Sequence, residues 1–581
     1  MQNSLKRRLE TPLSRTNYFI LCIFFLNAWF PEGSIAQNNW NGYPEEKSAM
    51  ADSGMVVTAH PLASAIGVDI LKQGGNAVDA AIAVQFALAV CYPGAGNIGG
   101  GGFMMVRTAD GVFKALDFRE KAPEKATSDM YLDSKGNPVT EKSLFGHLAA
   151  GVPGSVDGMI TAFEKYSRLK DWKKLLQPAV DLAENGYFIT KREAESLNFG
   201  QQKFKSCNRF RTAFQKKSSW KECDLLIQKA LASTLRHIRD KGRAGFYEGP
   251  VAKKIVKEMH AGRGLISFQD LKNYKSVWRN PVISDYRGYK IVSMPPPSSG
   301  GVALIQLLKM IEPYPVNQFQ FLGKEHVHIF AEAERRVFAD RAKYLGDPDF
   351  YKVPVETLLD KSYLARRMSD FDPVRATPSE QVTHGVIEHE ETTHFSIVDK
   401  WGNAVSLTTT LNGNYGSFTV VKGAGFLLNN EMDDFSVKPG VPNLYGLVGS
   451  EANKIQPGKR MLSSMTPTII EKSGNLFMVV GTPGGSTIIT SVFQVISNVI
   501  DFGMNIHDAV QVPRFHHQWL PDVLRIEEGA IPAVSEKILQ EMGYTTIQRG
   551  QIGRVEAIQI GKDGKLHGAA DRRGDDSARG Y

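Results

Sequence analysis

Apolar and polar positions change period along this chain, and the changes divide it. Met55 to Thr58 is a short apolar run that predicts a strand. Two 3.6-residue patterns follow, His60 to Gln73 and Ala77 to Cys91, the second so rich in Ala, Ile and Val that it predicts a buried helix. Phe103 to Arg107 and Val112 to Asp117 predict a hairpin turning at Asp110-Gly111. From Pro153 to Leu308 the pattern is mostly helical with Gly and Pro breaks, densest at Pro295-Pro296-Pro297-Ser298-Ser299-Gly300-Gly301. Residues 325 to 344 set Val327, Phe330, Ala331, Val337 and Phe338 on one helical stripe. Asp372 to Glu391 then loses apolar periodicity, holds Pro373 and Pro378 and ends in Glu388-His389-Glu390-Glu391, so it predicts an exposed linker.

Past the linker, Thr392 to Asp399 and Ala404 to Thr410 alternate around Gly402-Asn403 as adjacent strands, and Thr468 to Glu471 and Leu476 to Gly481 form another pair. Helices at Ser486 to Ile500 and Val534 to Met542, with strands at Leu524 to Ile526 and Val555 to Gln559, make the second half mixed. The whole predicts an α/β layered body rather than a helical one, without internal repeats.

Composition sharpens this only where it excludes something. Hydrophobic residues at 42% and charged residues at 22% over 581 positions fit a folded body of one large domain or several ordinary ones, not a disordered or fibrous chain. The first 36 residues read as a signal peptide: Lys6, Arg7, Arg8 and Arg15 precede an apolar run from Tyr18 to Phe30, and Ser34-Ile35-Ala36 offers a cleavage site before Gln37. That run covers about 20 Å of helix, short of a hydrocarbon core, and Leu21 is too large to precede a lipidated Cys22, so no stable membrane anchor is expected. Removing four cations and two anions (Glu10, Glu32) lowers the formal charge from +8 to +6, with the basic residues scattered, and nucleic acid is not implied. Cys91, Cys207 and Cys223 show no metal spacing; a bridge between Cys207 and Cys223 and two separate thiols both fit.

The chemistry concentrates where the linker meets a strand. A hydroxyl at the first strand position, after a polar segment, suits a chain that cuts itself: the Thr392 Oγ attacks the Glu391 carbonyl, an ester forms, and hydrolysis frees a new N-terminus. The freed α-amine titrates at about 7.7 to 8.0, so it can serve as base to its own hydroxyl. Alone, Thr392-Thr393 is equally a pair of β-formers.

Thr392-Thr393-His394-Phe395-Ser396-Ile397-Val398-Asp399, Gly402 to Ser406, Leu428-Asn429-Asn430-Glu431-Met432-Asp433-Asp434-Phe435, Ser463-Ser464-Met465 and Thr482-Pro483-Gly484-Gly485-Ser486 resemble the gamma-glutamyltransferase (gamma-glutamyl transpeptidase, glutathione hydrolase) family of bacteria. Asn97 to Phe103, Asp117-Phe118-Arg119-Glu120 and Pro295 to Gly301 extend the resemblance into the first half. It implies an N-terminal nucleophile hydrolase fold, a four-layer αββα sandwich made jointly by a large chain (37 to 391) and a small chain (392 to 581) cut from one precursor, with no metal or organic cofactor. Thr392 resembles the nucleophile, Thr410 the hydroxyl that orients it, and Gly484 and Gly485 the oxyanion hole. Arg119 resembles a carboxylate clamp assisted by Ser463 and Ser464, and Asn412, Glu431 and Asp434 an ammonium pocket. The Pro- and Gly-rich stretch 439 to 449 resembles a lid with Tyr445 capping the site. The implied activity is attack on gamma-glutamyl amides such as glutathione and its conjugates, with transfer to water or to acceptor amino acids and peptides, in the periplasm or medium. The rivals are a cephalosporin (glutaryl) acylase, a poly-gamma-glutamate depolymerase, and an uncut, silent binding protein.

Overall fold

The computed structural model describes residues 42–382, 392–437 and 450–581. The expected signal segment, the cut position at Glu391 and the expected lid with Tyr445 lie outside the described residues.

Two seven-stranded antiparallel sheets stack face to face. One runs Ser577–Gly580, Met55–Thr58, Thr392–Val398, Ala404–Thr410, Gly101–Arg107, Phe113–Asp117, Val277–Arg279. The other runs Ser48–Ala51, Leu566–Ala570, Glu556–Ile560, Asn475–Gly481, Thr468–Lys472, Tyr289–Ser293, Val282–Tyr286. The period of two sorts side chains into layers: along Gly101–Arg107, Phe103 and Met105 enter the seam between sheets, while Met104 and Val106 meet the helices outside. Pro61–Lys72 and Ala77–Cys91 cover the first sheet, with Trp172–Asn185 packed on Ala77–Cys91; Gly300–Ile311 and Thr487–Ile500 cover the second, with Lys324–Tyr344 packed on Gly300–Ile311. Both outer layers are helical, so the expected αββα sandwich is what the chain builds. The helix Ala77–Cys91 is buried at every position, and its start is fixed by Asn76 and Asp79 bonding each other's backbone N–H groups.

Several expectations need correction. The stretch expected to be mostly helical contains Val277–Arg279, Val282–Tyr286 and Tyr289–Ser293, the last two forming an edge hairpin. Its outer strand shows Ile283 and Asp285 to water, and an apolar residue on the solvent face obscures alternation. Ser48–Ala51, Leu566–Ala570 and Ser577–Gly580 are strands without strong β-formers, made so by the neighbours they pair with. The first part of the expected exposed linker is exposed at Asp372 to Arg375, Pro378, Glu380 and Gln381, but it is pinned at Ala376, Ser379 and Val382, which are buried. Ser379 donates its N–H to Asp522 (2.7 Å) and its hydroxyl to the Trp519 carbonyl (2.6 Å), and its own carbonyl accepts from the Trp519 indole (2.8 Å). Cys207 and Cys223 are not joined by a disulfide.

The seam behind Thr392 is polar. The His394 ring lies between Thr408 Oγ (2.8 Å) and Ser396 Oγ (3.1 Å), and Ser396 Oγ donates to the Glu556 carbonyl of the opposite sheet (2.9 Å). Burial pushes the His394 imidazole down to about 3, so it is neutral in the fold, whereas an unfolded imidazole titrates at about 6.5. As pH falls below 6.5 the unfolded chain takes up a proton that the folded chain refuses; the stability this group supports is full above 6.5 and is lost towards 3. Comparing wild type with His394→Gln, the wild-type lead in apparent urea midpoint should therefore shrink between pH 7 and pH 5, by the equivalent of about 2 kcal/mol. A lead independent of pH would mean that His394 takes up a proton in the fold as readily as in the unfolded chain.

Candidate active site

Strand geometry brings the first elements together. Thr392 opens Thr392–Val398 and stands directly opposite Thr410, the last residue of Ala404–Thr410. Such cross-strand pairs hold their Cβ atoms about 5 Å apart. Beyond Thr410 the chain turns through Asn412 in a left-handed conformation (φ 70°), and the Asn412 N–H donates to Thr410 Oγ at 2.7 Å. Asn97 holds the same turn from beneath, its amide donating to the Thr410 carbonyl at 2.8 Å. The glycine run next to it allows backbones to touch: a Cβ on Gly100 would lie 2.0 Å from the Thr410 carbonyl oxygen, and one on Gly102 2.3 Å from that of Thr408.

Across the seam, Asn475–Gly481 ends beside the start of Thr392–Val398, and Gly481 lies so close to the His394 ring that a Cβ there would sit 2.3 Å from it. The chain then reaches Gly484 (φ 136°) and Gly485 (φ 52°), positions open to glycine, before the helix Thr487–Ile500 begins. The Gly484 carbonyl is bound by the Thr487 N–H (3.0 Å) and hydroxyl (2.7 Å), which fixes the peptide that follows. Among the described residues, nothing accepts a hydrogen bond from the N–H of Gly484 or Gly485.

A third group closes the far wall. Arg119 follows Phe113–Asp117, and its carbonyl accepts from the Tyr274 hydroxyl at 2.7 Å. Its guanidinium forks onto Glu431 and Asp434, donates to the carbonyls of Leu462 (3.2 Å) and Met461 (3.4 Å), and lies 3.6 Å from Glu120. Three carboxylates thus surround one guanidinium. Burial, with the Glu120 charge, pushes the Glu431 carboxyl well above the usual range; burial, partly offset by Arg119, pushes Glu120 up to about 7. Asp117, the other acid near Arg119 in sequence, is taken by Arg279 (2.8 Å) and Arg460 (3.2 Å). Ser463 and Ser464 are shaped by the Pro-rich turn: the Ser463 N–H donates to the Pro297 carbonyl (3.0 Å), and the Ser299 N–H and hydroxyl donate to the Ser463 carbonyl (2.7 and 2.6 Å).

Thr392, Thr410, Asn412, Arg119, Glu431, Asp434, Ser463, Ser464 and Gly485 all line one small pocket. Gly484 faces an adjoining cavity of about 330 Å³ that shares Thr392 with it. Every expected site residue within the described residues is therefore at one place. One residue that sequence reasoning missed also bears on it: Arg341, on Lys324–Tyr344, donates to Ser464 Oγ (2.8 Å) and Ser299 Oγ (2.9 Å). Its signal was a helix with charges on all sides, of which Glu332, Glu334, Arg335, Arg336 and Arg341 prove buried. No group of three or more His, Cys, Asp or Glu among the described residues is arranged to hold a metal ion.

Comparison with known proteins places this geometry. The glutathione hydrolase proenzyme of Escherichia coli (strain K12) is 47% identical over 537 residues, 91% of this chain and 92% of that protein. Among solved structures, the cephalosporin acylase from Bacillus halodurans superposes with a TM-score of 0.79 at 26% identity, covering 94% of this chain and 99% of that one. The Helicobacter pylori gamma-glutamyltranspeptidase gives 0.55 at 45% identity, covering 59% of this chain and 97% of that one. The architecture is the N-terminal nucleophile hydrolase sandwich. The gamma-glutamyltranspeptidase family profile matches residues 63–581, and with its fold and its relatives the chain belongs to that family.

Proposed function

We propose that this protein is an exported, self-processing gamma-glutamyltransferase and glutathione hydrolase. The observation that carries the reading is the meeting, in a small pocket and the cavity that shares Thr392 with it, of a strand-opening threonine, two left-handed glycines and one arginine shared by three acids. Cutting before Thr392 frees its amine; the amine takes the hydroxyl proton as Thr392 Oγ attacks the gamma-glutamyl carbonyl. The Gly484 and Gly485 N–H groups, at the start of Thr487–Ile500, receive the oxyanion, and the helix dipole favours the charge. The leaving amine collects the proton and departs, and water or an acceptor amine resolves the ester.

The head group follows from charge. Arg119 with Glu120, Glu431 and Asp434 holds more acid than base, so the pocket calls for a cation, and a free ammonium supplies it. The neighbouring α-carboxylate then takes Arg119, Ser463 and Ser464. A glutaryl group has no ammonium, which sets this reading above the acylase rival.

Arg341 acts through Ser464. Arg341→Met should raise the donor KM by about tenfold or more while changing kcat less, because a charge-assisted hydrogen bond orienting the clamp is lost. Equal KM values for variant and wild type would leave Arg341 a packing residue. The reading as a whole is tested by mass spectrometry of purified protein together with amine release from a gamma-glutamyl anilide. Two chains parting before Thr392, with amine released, are expected. An uncut, inactive chain makes it a binding protein, and a cut chain that accepts glutaryl but not gamma-glutamyl amides makes it an acylase.

A further inference from the structure

One stretch away from the active site departs from the scattered distribution of basic residues expected from the sequence. Between Asn198 and Lys221 lie seven cations (Lys203, Lys205, Arg209, Arg211, Lys216, Lys217 and Lys221) and no acid, in a chain whose net charge is +8. The fold makes these residues one surface. The stretch leaves the helix Lys191–Cys207 and doubles back on it: Asn198 exchanges hydrogen bonds with the backbone of Trp220 (2.8 and 2.9 Å), and Gln201 donates to the Phe214 carbonyl (2.7 Å). Phe204, Phe214 and Trp220 are turned inward, with the rings of Phe204 and Phe214 stacked at 5.3 Å. Lys205, Arg209, Arg211, Lys216 and Lys217 then line an open groove of about 840 Å³ that contains no carboxylate. Lys216 is paired with Asp224. Among the described residues no carboxylate pairs with Lys205, Arg209, Arg211 or Lys217.

One aromatic breaks the inward pattern. Phe199, on the same helix about a third of a turn round from Asn198, Gln201, Gln202 and Lys205, which line the groove, is 88% exposed, the largest exposure among the large apolar side chains described. An anionic polymer would need the cations but not a bare phenyl ring. A bilayer uses both, phosphates for the cations and the acyl boundary for the ring. We propose that this face is a docking surface for an anionic lipid bilayer, with Phe199 inserted and Lys205, Arg209, Arg211 and Lys217 on headgroup phosphates. The first turns of the same helix contribute Arg192, Glu193, Ser196 and Leu197 to the cavity beside Thr392. The cations start about 14 Å further along it, so docking would hold the cavity at a set distance from the membrane.

The test uses the mature two-chain protein and sedimentation with phosphatidylcholine vesicles with or without phosphatidylglycerol, at low and high salt. Wild type should sediment with the anionic vesicles at low salt and stay in solution with the neutral ones. Combined Lys205→Glu, Arg209→Glu, Arg211→Glu and Lys217→Glu should lower partitioning by about a hundredfold or more, and Phe199→Ser by about tenfold. Normal cutting and amine release in both variants confirm that they are folded. Equal binding to both vesicle types, or undiminished binding of the charge-reversed variant, overturns the proposal. So does full binding by Phe199→Ser with displacement by soluble polyphosphate, which would make the groove a general polyanion site.

Discussion

Thr392→Ala is expected to purify as one uncut chain and to release amine from a gamma-glutamyl anilide slower by a factor on the order of 10⁴ or more. The substitution removes the hydroxyl together with the γ-methyl and leaves the strand intact, since the pairing of Thr392 with Thr410 runs through the backbone. Without the hydroxyl the Glu391 carbonyl has no internal attacker, and without the cut the amide nitrogen of Thr392 stays acylated and cannot serve as base. Loss of this hydroxyl thus removes both nucleophile and base. Thr392→Ser restores a hydroxyl and should cut, more slowly. Cutting of the alanine variant in a protease-free preparation would falsify self-processing.

Arg119→Gln is expected to lower kcat/KM for the donor by roughly 30-fold to several thousandfold while cutting proceeds. The structure adds a reason beyond the lost clamp. Arg119 neutralises Glu431 and Asp434, so glutamine leaves those carboxylates unmatched, Glu431 deeply buried. Glu431, already held above its ordinary range, then rises further and is protonated at neutral pH, which weakens the acceptors proposed for the ammonium. Arg119→Lys keeps the charge without the planar fork and should fall between the two. A near-normal kcat/KM in Arg119→Gln would remove Arg119 from the head-group clamp.

The strand Thr392–Val398 and its partner were legible because alternation and a Gly-Asn turn are local signals. The site was legible only in pieces. Arg119, Asn412, Glu431, Ser463 and Gly485 stand far apart in sequence, and each carries only a local mark; the family resemblance supplied the connection that periodicity lacks. What stayed hidden depends on partners distant in the chain. Leu566–Ala570, with His567, Gly568 and two alanines, becomes a strand because Ser48–Ala51 and Glu556–Ile560 flank it. Arg341 gains its place because Ser299 and Ser464 converge on it from opposite halves of the protein. The mutual pairing of Arg119 with two acids of the same pocket is likewise something that no linear motif announces.

The interleaving of the sheets has a consequence for how long the enzyme lasts. Met55–Thr58 is hydrogen-bonded between Thr392–Val398 and Ser577–Gly580, and Tyr289–Ser293 pairs with Thr468–Lys472, so a cut before Thr392 leaves two chains woven through both sheets. Before the cut, lost strands return by folding within one molecule. After it, recovery requires two molecules to meet, and dilution favours loss. The assembly information is spent on the precursor, and the working enzyme persists by the height of its unfolding barrier rather than by the depth of its equilibrium. Once the chain is cut, the lifetime of the enzyme becomes a rate.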